Sequence, residues 1–322
     1  MRHGIVILPQ YSWPESERRW KLAEELGFDH AWTYDHLSWR SLADQPWGAS
    51  VPTLTAAAVA TTRIRLGLFV ASPNFRHPVP FAKELGTVDD VSGGRFVLGV
   101  GSGGTGFDAT VLGQTALSPR QRHERFAEFV ERLDALLRYE EDGTDGSGGS
   151  DGADGSVGSD GSDGSGGSGG SVGSGLSFDG EWFAARDARM VGVPAQSPRL
   201  PFVVAANGPK GLALAARYGQ GWVTTAHDDV VGAERWRLLA GLCGRLDDAA
   251  VAAGRDPGSI DRYLSLDSEA FFSLSSVGAW DDAVGHAAEL GFTDVIAHWP
   301  RDSGIYAGSE EVLVEVASRF AR

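Results

Sequence analysis

One junction recurs along this chain and constrains its fold more than any other feature: a helix ends at a glycine, and a short apolar strand follows at once. Residues 23–29 (AEELGFD) resemble residues 288–294 (AELGFTD), and residues 216–222 (ARYGQGW) are a looser copy. Glycine at a helix end reaches the left-handed backbone region that other residues avoid. We therefore interpret the junction as the link between helix and strand in a repeating strand–helix unit.

Eight such units can be counted. The apolar runs predict strands at residues 4–8, 28–34, 64–70, 96–100, 202–206, 221–224, 263–272 and 294–298. The helical spacing of apolar residues predicts helices at residues 14–26, 50–62, 78–91, 119–139, 210–218, 233–253, 279–290 and 310–320. Right-handed crossovers repeated eight times close into a barrel. The expected fold is an α/β, (β/α)8 TIM barrel forming a single domain over residues 1–322, with an open parallel sheet as the alternative.

One segment departs from this rhythm. Residues 142–175 consist almost entirely of glycine, serine and aspartate, with six aspartates and no basic residue. Such a composition cannot bury enough apolar surface to fold. We predict a disordered, low-complexity insertion within the domain, followed by a hairpin-like piece at residues 178–190.

Charge and cysteine content exclude several classes of partner. The formal net charge is −15, which argues against nucleic acid and anionic membranes as partners. Cys243 is the single cysteine, so neither a disulfide framework nor a cysteine metal site can form within one chain. Apolar runs stay short of the length that spans a membrane. A cytoplasmic protein is expected, and the histidines show no ligand spacing that would indicate a metal.

Asp35 and His36 end the second predicted strand, which in a barrel places them at the mouth where active sites lie. Histidine titrates near neutral pH and can move a proton. The neighbouring aspartate could orient it or bind a ligand hydroxyl. A helix-capping aspartate beside a surface histidine is the alternative.

Two glycine-containing turns follow other strands. Residues 101–106 (GSGGTG) formally match the GxGxxG pattern, but the next good helix begins too late for a dinucleotide site, so we favour a floor under a flat ligand. Residues 205–211 (AANGPKG) follow the fifth strand and begin a helix, an arrangement whose free N–H groups favour a phosphate. Lys210 and Arg76 could add positive charge. A plain strand-to-helix turn is the alternative.

Several short patterns occur together in an order that resembles the bacterial-luciferase-like monooxygenase superfamily of flavin- and deazaflavin-dependent oxidoreductases. They are residues 23–29 with Trp32, Asp35-His36, Leu66-Gly67, Pro73, Arg76-His77-Pro78, Ala82-Lys83-Glu84, residues 92–103, residues 178–181, residues 198–201, residues 205–209 and residues 215–219. The resemblance covers nearly the whole chain apart from the insertion.

The resemblance implies that a flavin or deazaflavin ring lies across the carboxyl ends of the barrel strands. A non-prolyl cis peptide, expected at Phe69–Val70, would support the ring, and Ala206 to Gly208 would hold the cofactor phosphate. The residues expected to bind the cofactor are Asp35, Phe69, Val70, Ser72, Gly101, Ser102, Gly103, Ala206, Asn207 and Gly208. The expected catalytic residues are His36, which acts on the substrate proton, and Trp39, which lines the substrate site.

The Asp35-His36 pair is similar to that of members that use coenzyme F420. The resemblance therefore implies an F420-dependent oxidoreductase that transfers hydride between the deazaflavin and a small organic substrate, and a homodimer is expected. An FMN-dependent monooxygenase that uses reduced flavin and oxygen is the first alternative. A non-catalytic flavin-binding barrel is the second.

One position departs from the sugar-phosphate dehydrogenases of this superfamily. In those enzymes a glutamate follows the glycine loop and serves as an acid, whereas Gly104 occupies that place here. The departure argues against the same substrate and against the same two-residue acid–base scheme.

Overall fold

The structure is a computed structural model, and it describes residues 1–139, 175–192, 194–226 and 230–320. The strands in this part of the chain are β1 (Arg2–Val6), β2 (His30–Thr33), β3 (Arg65–Ala71), β4 (Phe96–Val100), β5 (Leu176–Asp179), β6 (Ala184–Ala188), β7 (Phe202–Ala205), β8 (Gly221–Thr224), β9 (Asp261–Ser265) and β10 (Asp294–His298). All of them except β5 and β6 form a closed, parallel barrel in the order β1-β2-β3-β4-β7-β8-β9-β10. The predicted TIM barrel is confirmed, and the open sheet is wrong because β1 pairs with β10 along its whole length.

A helix follows each barrel strand. The helices are α1 (Trp13–Glu25), α2 (Ser50–Ala60), α3 (Pro78–Val91), α4 (Pro119–Leu137), α5 (Pro209–Tyr218), α6 (Gly232–Ala252), α7 (Val277–Glu289) and α8 (Glu310–Ala317). Local sequence sets where they begin. In α4, for example, Ser118 and Gln121 form a reciprocal capping box, and Pro119 occupies the first turn, where it loses no hydrogen bond.

The recurrent glycine junctions have the same geometry at both of the close copies. Gly27 has φ +89° and Gly291 has φ +76°. In each case the two N–H groups that follow the helix turn back to its last carbonyls. Phe28 N–H bonds to Ala23 at 3.1 Å, and Phe292 N–H bonds to the equivalent carbonyl at 3.0 Å. This double closure ends the helix and starts the next strand at a fixed angle.

Two apolar layers hold the barrel together. The larger layer lies between the strands and the helices, and includes Trp20, Phe81 and Trp222. The smaller layer fills the barrel itself, with buried members from seven of its strands, and includes Trp32 and Tyr263. Large side chains fit inside so narrow a barrel because small residues face them.

The barrel is closed near its amino-terminal end by a buried polar network. Arg2 on β1 donates to both carboxylate oxygens of Asp294 on β10, at 2.7 and 2.6 Å. The Trp32 indole donates to His30 Nδ1 at 2.6 Å, so this nitrogen carries no proton. The His30 proton is therefore on Nε2, which donates to Asp294 at 3.0 Å. Burial opposes the charge of Asp294, but these hydrogen bonds outweigh it and lower the pKa of its carboxyl group.

One predicted element is wrong at its end. The strand predicted over residues 263–272 stops at Ser265, because the Asp267 carboxylate accepts the backbone N–H groups of Ser273 and His298 and turns the chain. The other predicted boundaries agree within three residues. The predicted hairpin is confirmed as the antiparallel pair of β5 and β6. The predicted insertion lies outside the described residues apart from Gly175.

The close approach of β3 and β4 gives a test of the barrel packing. A Cβ atom at Gly99 would lie 2.1 Å from the backbone oxygen of Leu68, which cannot rotate away. We expect Gly99→Ala to lower the free energy of unfolding by about 3 kcal/mol. Gly244→Ala, at an exposed position in α6 with open space around it, should raise it by about 0.5–1 kcal/mol. Chemical denaturation measures both, and equal effects would contradict the packing described.

Candidate functional site

The carboxyl ends of the barrel strands surround a cavity of about 460 Å³. Residues that follow seven of the eight barrel strands contribute to its wall. The lining residues are Tyr34, His36, Trp39, Arg40, Phe69, Val70, Ser72, Asn74, residues 101–104, Asp108, Ala205, Ala206, Asn207, Val223, Thr224, Thr225, Ser265, Asp267, Ser268, Glu269 and Tyr306. This is the end of a TIM barrel at which ligands bind. The mouth is therefore the candidate active site.

His36 forms a carboxylate–imidazole couple at this mouth. Its Nδ1 bonds to Asp108, which stands in the turn of residues 107–109 after β4. The same carboxylate accepts the Leu37 backbone N–H at 2.8 Å, so it is held from two sides. The Asp108 side chain is 7% exposed and the His36 side chain 32% exposed. A carboxylate on Nδ1 orients the ring and leaves Nε2 as the basic nitrogen.

Asp108 changes the interpretation of Gly104. The sequence placed a missing acid at Gly104, but the structure brings the Asp108 carboxylate into the site four residues later. Spacing alone did not reveal it, because the loop between β4 and α4 has no periodic pattern. The signal available in the sequence was only that an acidic residue follows the glycine loop.

Asp35 lies apart from the cavity lining. Its carboxylate is 2% exposed and receives two hydrogen bonds from Arg76, at 2.8 and 2.6 Å, and one from the Ser50 hydroxyl. The Arg76 guanidinium also bonds to Glu84. Arg76 is therefore engaged by carboxylates and is not available for the phosphate with which the sequence associated it. Asp35 fixes the start of the loop that carries His36.

The cavity floor is built from β3 and the glycine loop. The peptide bond expected to be cis at Phe69–Val70 is cis. A Cβ atom at Gly101 would lie 2.9 Å from Val70 Cγ2, and one at Gly103 would lie 2.8 Å from the Asn74 side chain. Only residues without a side chain allow the loop to lie so close to β3. Ser72 and Ser102 complete this part of the lining.

The turn after β7 supplies the opposite wall. Ala206 and Asn207 line the cavity, whereas Gly208 lies outside the lining and precedes α5. The Asn207 side chain is anchored by the Thr224 hydroxyl at 2.6 Å and by the Ala226 carbonyl at 2.8 Å. This anchoring fixes the backbone at the amino-terminal end of α5, where N–H groups are free to meet an anion.

Positive side chains gather on the neighbouring surface of α4 and α5. In the described residues no carboxylate pairs with Arg122, Arg125 or Lys210. Arg125 is buried, donates to Asn74 at 2.5 Å, and leaves its Nε without a partner. Burial and the neighbouring Arg122 lower the pKa of Arg125. Burial and the nearby Lys210 lower the pKa of His123 in the same way. The sequence analysis missed this cluster, apart from Lys210.

Trp39 is buried beside the site, with its ring edge-on to Tyr34 at a centroid distance of 5.2 Å. Sequence reasoning missed three other polar residues of the mouth, Tyr34, Asp267 and His298. All three stand at the end of a barrel strand or just beyond it. The rule that strand ends carry the active site could have found them.

Fold and cavity together define a TIM barrel with a ligand site at its carboxyl-terminal mouth. The sequence model of the luciferase-like monooxygenase family matches residues 1–268. This chain belongs to that family, as the sequence patterns indicated.

Its relatives include F420-dependent dehydrogenases and reductases. The F420-dependent hydroxymycolic acid dehydrogenase of Mycobacterium tuberculosis is 27% identical, with 92% of this chain and 75% of that protein covered. The F420-dependent glucose-6-phosphate dehydrogenase of Beutenbergia cavernae is 31% identical. That match covers 76% of this chain and 61% of that enzyme, less than two thirds of its length.

Solved structures show the same fold. An F420-dependent secondary alcohol dehydrogenase, solved with an F420–acetone adduct, superimposes with a TM-score of 0.73 and 15% sequence identity. The superposition covers 98% of this chain and 96% of that one. Among the described residues, no helix is both long and apolar enough to cross a bilayer.

The Asp35–Arg76 pair gives a test of how the His36 loop is held. Asp35→Asn leaves a buried guanidinium with only an exposed carboxylate, that of Glu84, and should lower the free energy of unfolding by about 3 kcal/mol. Glu84→Gln removes the charge of the other Arg76 partner, which is 48% exposed. It should lower the free energy of unfolding by less than about 1 kcal/mol. Thermal denaturation measures both. If Asp35→Asn weakened cofactor binding without loss of stability, Asp35 would instead contact the cofactor.

Proposed function

We propose that this protein is a coenzyme F420-dependent oxidoreductase that transfers hydride between the deazaflavin and a small organic substrate. The relatives named above support this cofactor class. The observation that carries the proposal is the His36–Asp108 couple, which sets a basic imidazole nitrogen beside the floor of the mouth cavity. Hydride transfer to or from an organic substrate is accompanied by proton transfer, and this nitrogen can perform it.

The residues present fit a flat ring that carries a phosphate. Phe69, Val70 and the glycine loop would hold the ring, because the loop lies against Val70 and carries no side chain there except that of Ser102. Asn207 and the start of α5 would hold the phosphate, beside a cationic cluster that lacks carboxylate partners in the described residues. A bound deazaflavin supplies a two-electron hydride carrier.

His36 moves a proton through Nε2, because Nδ1 is engaged by Asp108. The Asp108 carboxylate keeps the ring oriented and stabilises the imidazolium that forms when Nε2 takes up a proton. Trp39 and Tyr34 shield this region from water by packing against each other. The chain therefore contributes orientation, proton transfer and exclusion of water.

Cofactor titration tests the proposal and the cationic cluster together. We expect the purified protein to bind oxidised F420 more tightly than FMN. Lys210→Ala should weaken F420 binding about tenfold, because it removes a charge near the phosphate. The affinity for a deazaflavin chromophore that lacks the phosphate should not change. Lys21→Ala is the matched control, because the Lys21 ammonium group pairs with Glu17 on α1. Tight FMN binding without deazaflavin binding would contradict the proposal.

The role of His36 has its own test. His36→Asn should keep F420 affinity and slow turnover about 10²-fold or more, as expected for loss of a general acid or base. His77→Asn is the control, because His77 bonds to the Ala184 carbonyl at an exposed position and an asparagine can also cap α3. Deazaflavin absorbance follows the rate, with 2-propanol and glucose 6-phosphate as first substrates. Unchanged turnover in His36→Asn would remove His36 from the mechanism.

An FMN-dependent monooxygenase is the second candidate, favoured by the description of the matching family. Oxygen consumption with reduced FMN and no deazaflavin reduction would establish it. Binding of neither cofactor would favour the non-catalytic barrel. The homodimer and the cytoplasmic location also stay predictions, and light scattering tests the first.

A further inference from the structure

A second carboxylate–imidazole couple stands at the barrel mouth, and it ends on a tyrosine. Tyr34 follows β2, His298 ends β10, and Asp267 follows β9. His298 Nδ1 lies 3.0 Å from Asp267 Oδ2, and His298 Nε2 lies 2.7 Å from the Tyr34 hydroxyl. Tyr34 and Asp267 line the cavity, with Tyr34 8% and His298 1% exposed. The proposed function gives these three residues no part in proton transfer.

The hydrogen-bond partners fix the direction of each bond. The Asp267 carboxylate accepts the backbone N–H groups of His298 at 2.6 Å and Ser273 at 2.7 Å. Because both Asp267 oxygens accept backbone N–H groups, we take the remaining bond to be donated by His298 Nδ1, which then carries the proton. Nε2 is then the acceptor and Tyr34 the donor. Tyr306 is then the donor in its 3.4 Å hydrogen bond to the Tyr34 oxygen, and one lone pair of that oxygen remains available to a further donor.

The surroundings keep the Tyr34 hydroxyl, the end of this hydrogen-bonded series that faces the cavity, in its neutral form. Burial, together with the nearby Tyr306 hydroxyl, raises the pKa of Tyr34 well above its usual value, so the hydroxyl keeps its proton at rest. Tyr306 stacks on the His298 ring at a centroid distance of 3.8 Å and lies 3.4 Å from the Tyr34 oxygen. The tyrosine can therefore take up one proton only by passing its own to His298.

We propose that Tyr34, His298 and Asp267 form a proton relay, in which Tyr34 is a second catalytic residue that contacts a substrate hydroxyl. The inference rests on the proposed function, because two-electron reduction of a deazaflavin by an alcohol involves two proton transfers. One proton leaves the alcohol oxygen, and one joins the reduced cofactor. The relay serves the first. The His36–Asp108 couple then serves the second, although the family resemblance assigned His36 to the substrate proton.

The bonds balance as follows. In the oxidising direction the substrate O–H bond breaks and its proton joins the Tyr34 oxygen. The former Tyr34 proton moves to His298 Nε2, and Asp267 balances the imidazolium. The substrate C–H bond breaks with its electron pair leaving as hydride, which the deazaflavin would accept, so the alcohol becomes a carbonyl compound. The proton that the reduced deazaflavin needs would come from His36, which must carry it on Nε2 before the step and is left neutral. The substrate class is therefore a hydroxyl compound with hydrogen on the same carbon.

Nuclear magnetic resonance of histidine labelled with nitrogen-15 tests the relay without cofactor or substrate. The His298 signals are assigned by their loss in His298→Asn. We expect the proton on Nδ1, and we expect the Nε2 signal to move downfield in Tyr34→Phe, which removes the donor but keeps the ring. Tyr263→Phe, another buried tyrosine on a barrel strand outside the cavity lining, is the control. A proton on Nε2 in the parent protein, or no shift in Tyr34→Phe, overturns the relay.

A double-mutant cycle tests its role in turnover. With F420 and an alcohol that the parent protein oxidises, Tyr34→Phe and His298→Asn should each slow hydride transfer about 10²-fold. Together they should be no slower than the slower single variant, because they interrupt one pathway. Adding His36→Asn should multiply the loss, because it affects the other proton. F420 affinity and Tyr263→Phe turnover should stay at parent values.

The outcomes separate the relay from the proposed function. If the parent protein turns over and Tyr34→Phe turns over at the same rate, the relay is overturned. The proposed F420-dependent activity then still stands. Absence of parent turnover with 2-propanol, glycerol and glucose 6-phosphate, despite the expected His298 signals, overturns the proposed function and with it the catalytic role of Tyr34. If His298→Asn fails to fold, Asp267→Asn combined with Tyr34→Phe replaces it in the cycle.

Discussion

Closure of the barrel between β1 and β10 is the constraint on which the rest of the structure depends. These strands come from opposite ends of the chain, and the Arg2–Asp294 ion pair joins them. In the closed barrel only β1 lies between β2 and β10. The ends of these two strands are therefore close enough for Tyr34 and His298 to bond across the mouth. In an open sheet the first and last strands would lie at separate edges. The site therefore exists only because the two ends of the repeat meet.

The charged side chains near the mouth lie in two places. Arg122, Arg125 and Lys210 lie on α4 and α5 outside the cavity lining, whereas the buried Asp108 and Asp267 are part of the lining. Cations without carboxylate partners suit the phosphate of a cofactor, and buried carboxylates suit the orientation of proton-transfer groups. The proposed function therefore assigns cofactor binding and proton transfer to different residues of the same barrel.

The barrel could be predicted from the sequence because its repeating unit is formed by neighbouring residues. Each glycine junction between a helix and a strand consists of consecutive residues. The position of His36 at a strand end indicated its place at the mouth, and the family resemblance indicated the cis peptide at Phe69–Val70. Asp108 and the Tyr34–His298 bond were missed because they depend on residues 72 and 264 positions apart. Asp35 was associated with the cofactor, although its carboxylate is occupied by Arg76. A sequence shows which polar residues reach the mouth, but not which of them bond to one another.

Three aspartate–histidine couples in the described part of the barrel show how one motif serves different ends. In each, the carboxylate fixes one imidazole nitrogen, and the partner of the other nitrogen decides the role. In the His30 couple the Trp32 indole donates to the other nitrogen, Nδ1, and has no second proton to give. This couple therefore only stabilises the barrel. His36 leaves Nε2 open at the mouth, and His298 leads through Tyr34 to the same cavity. The two couples whose second nitrogen is not occupied by an indole therefore lie at the end of the barrel where a ligand can reach them.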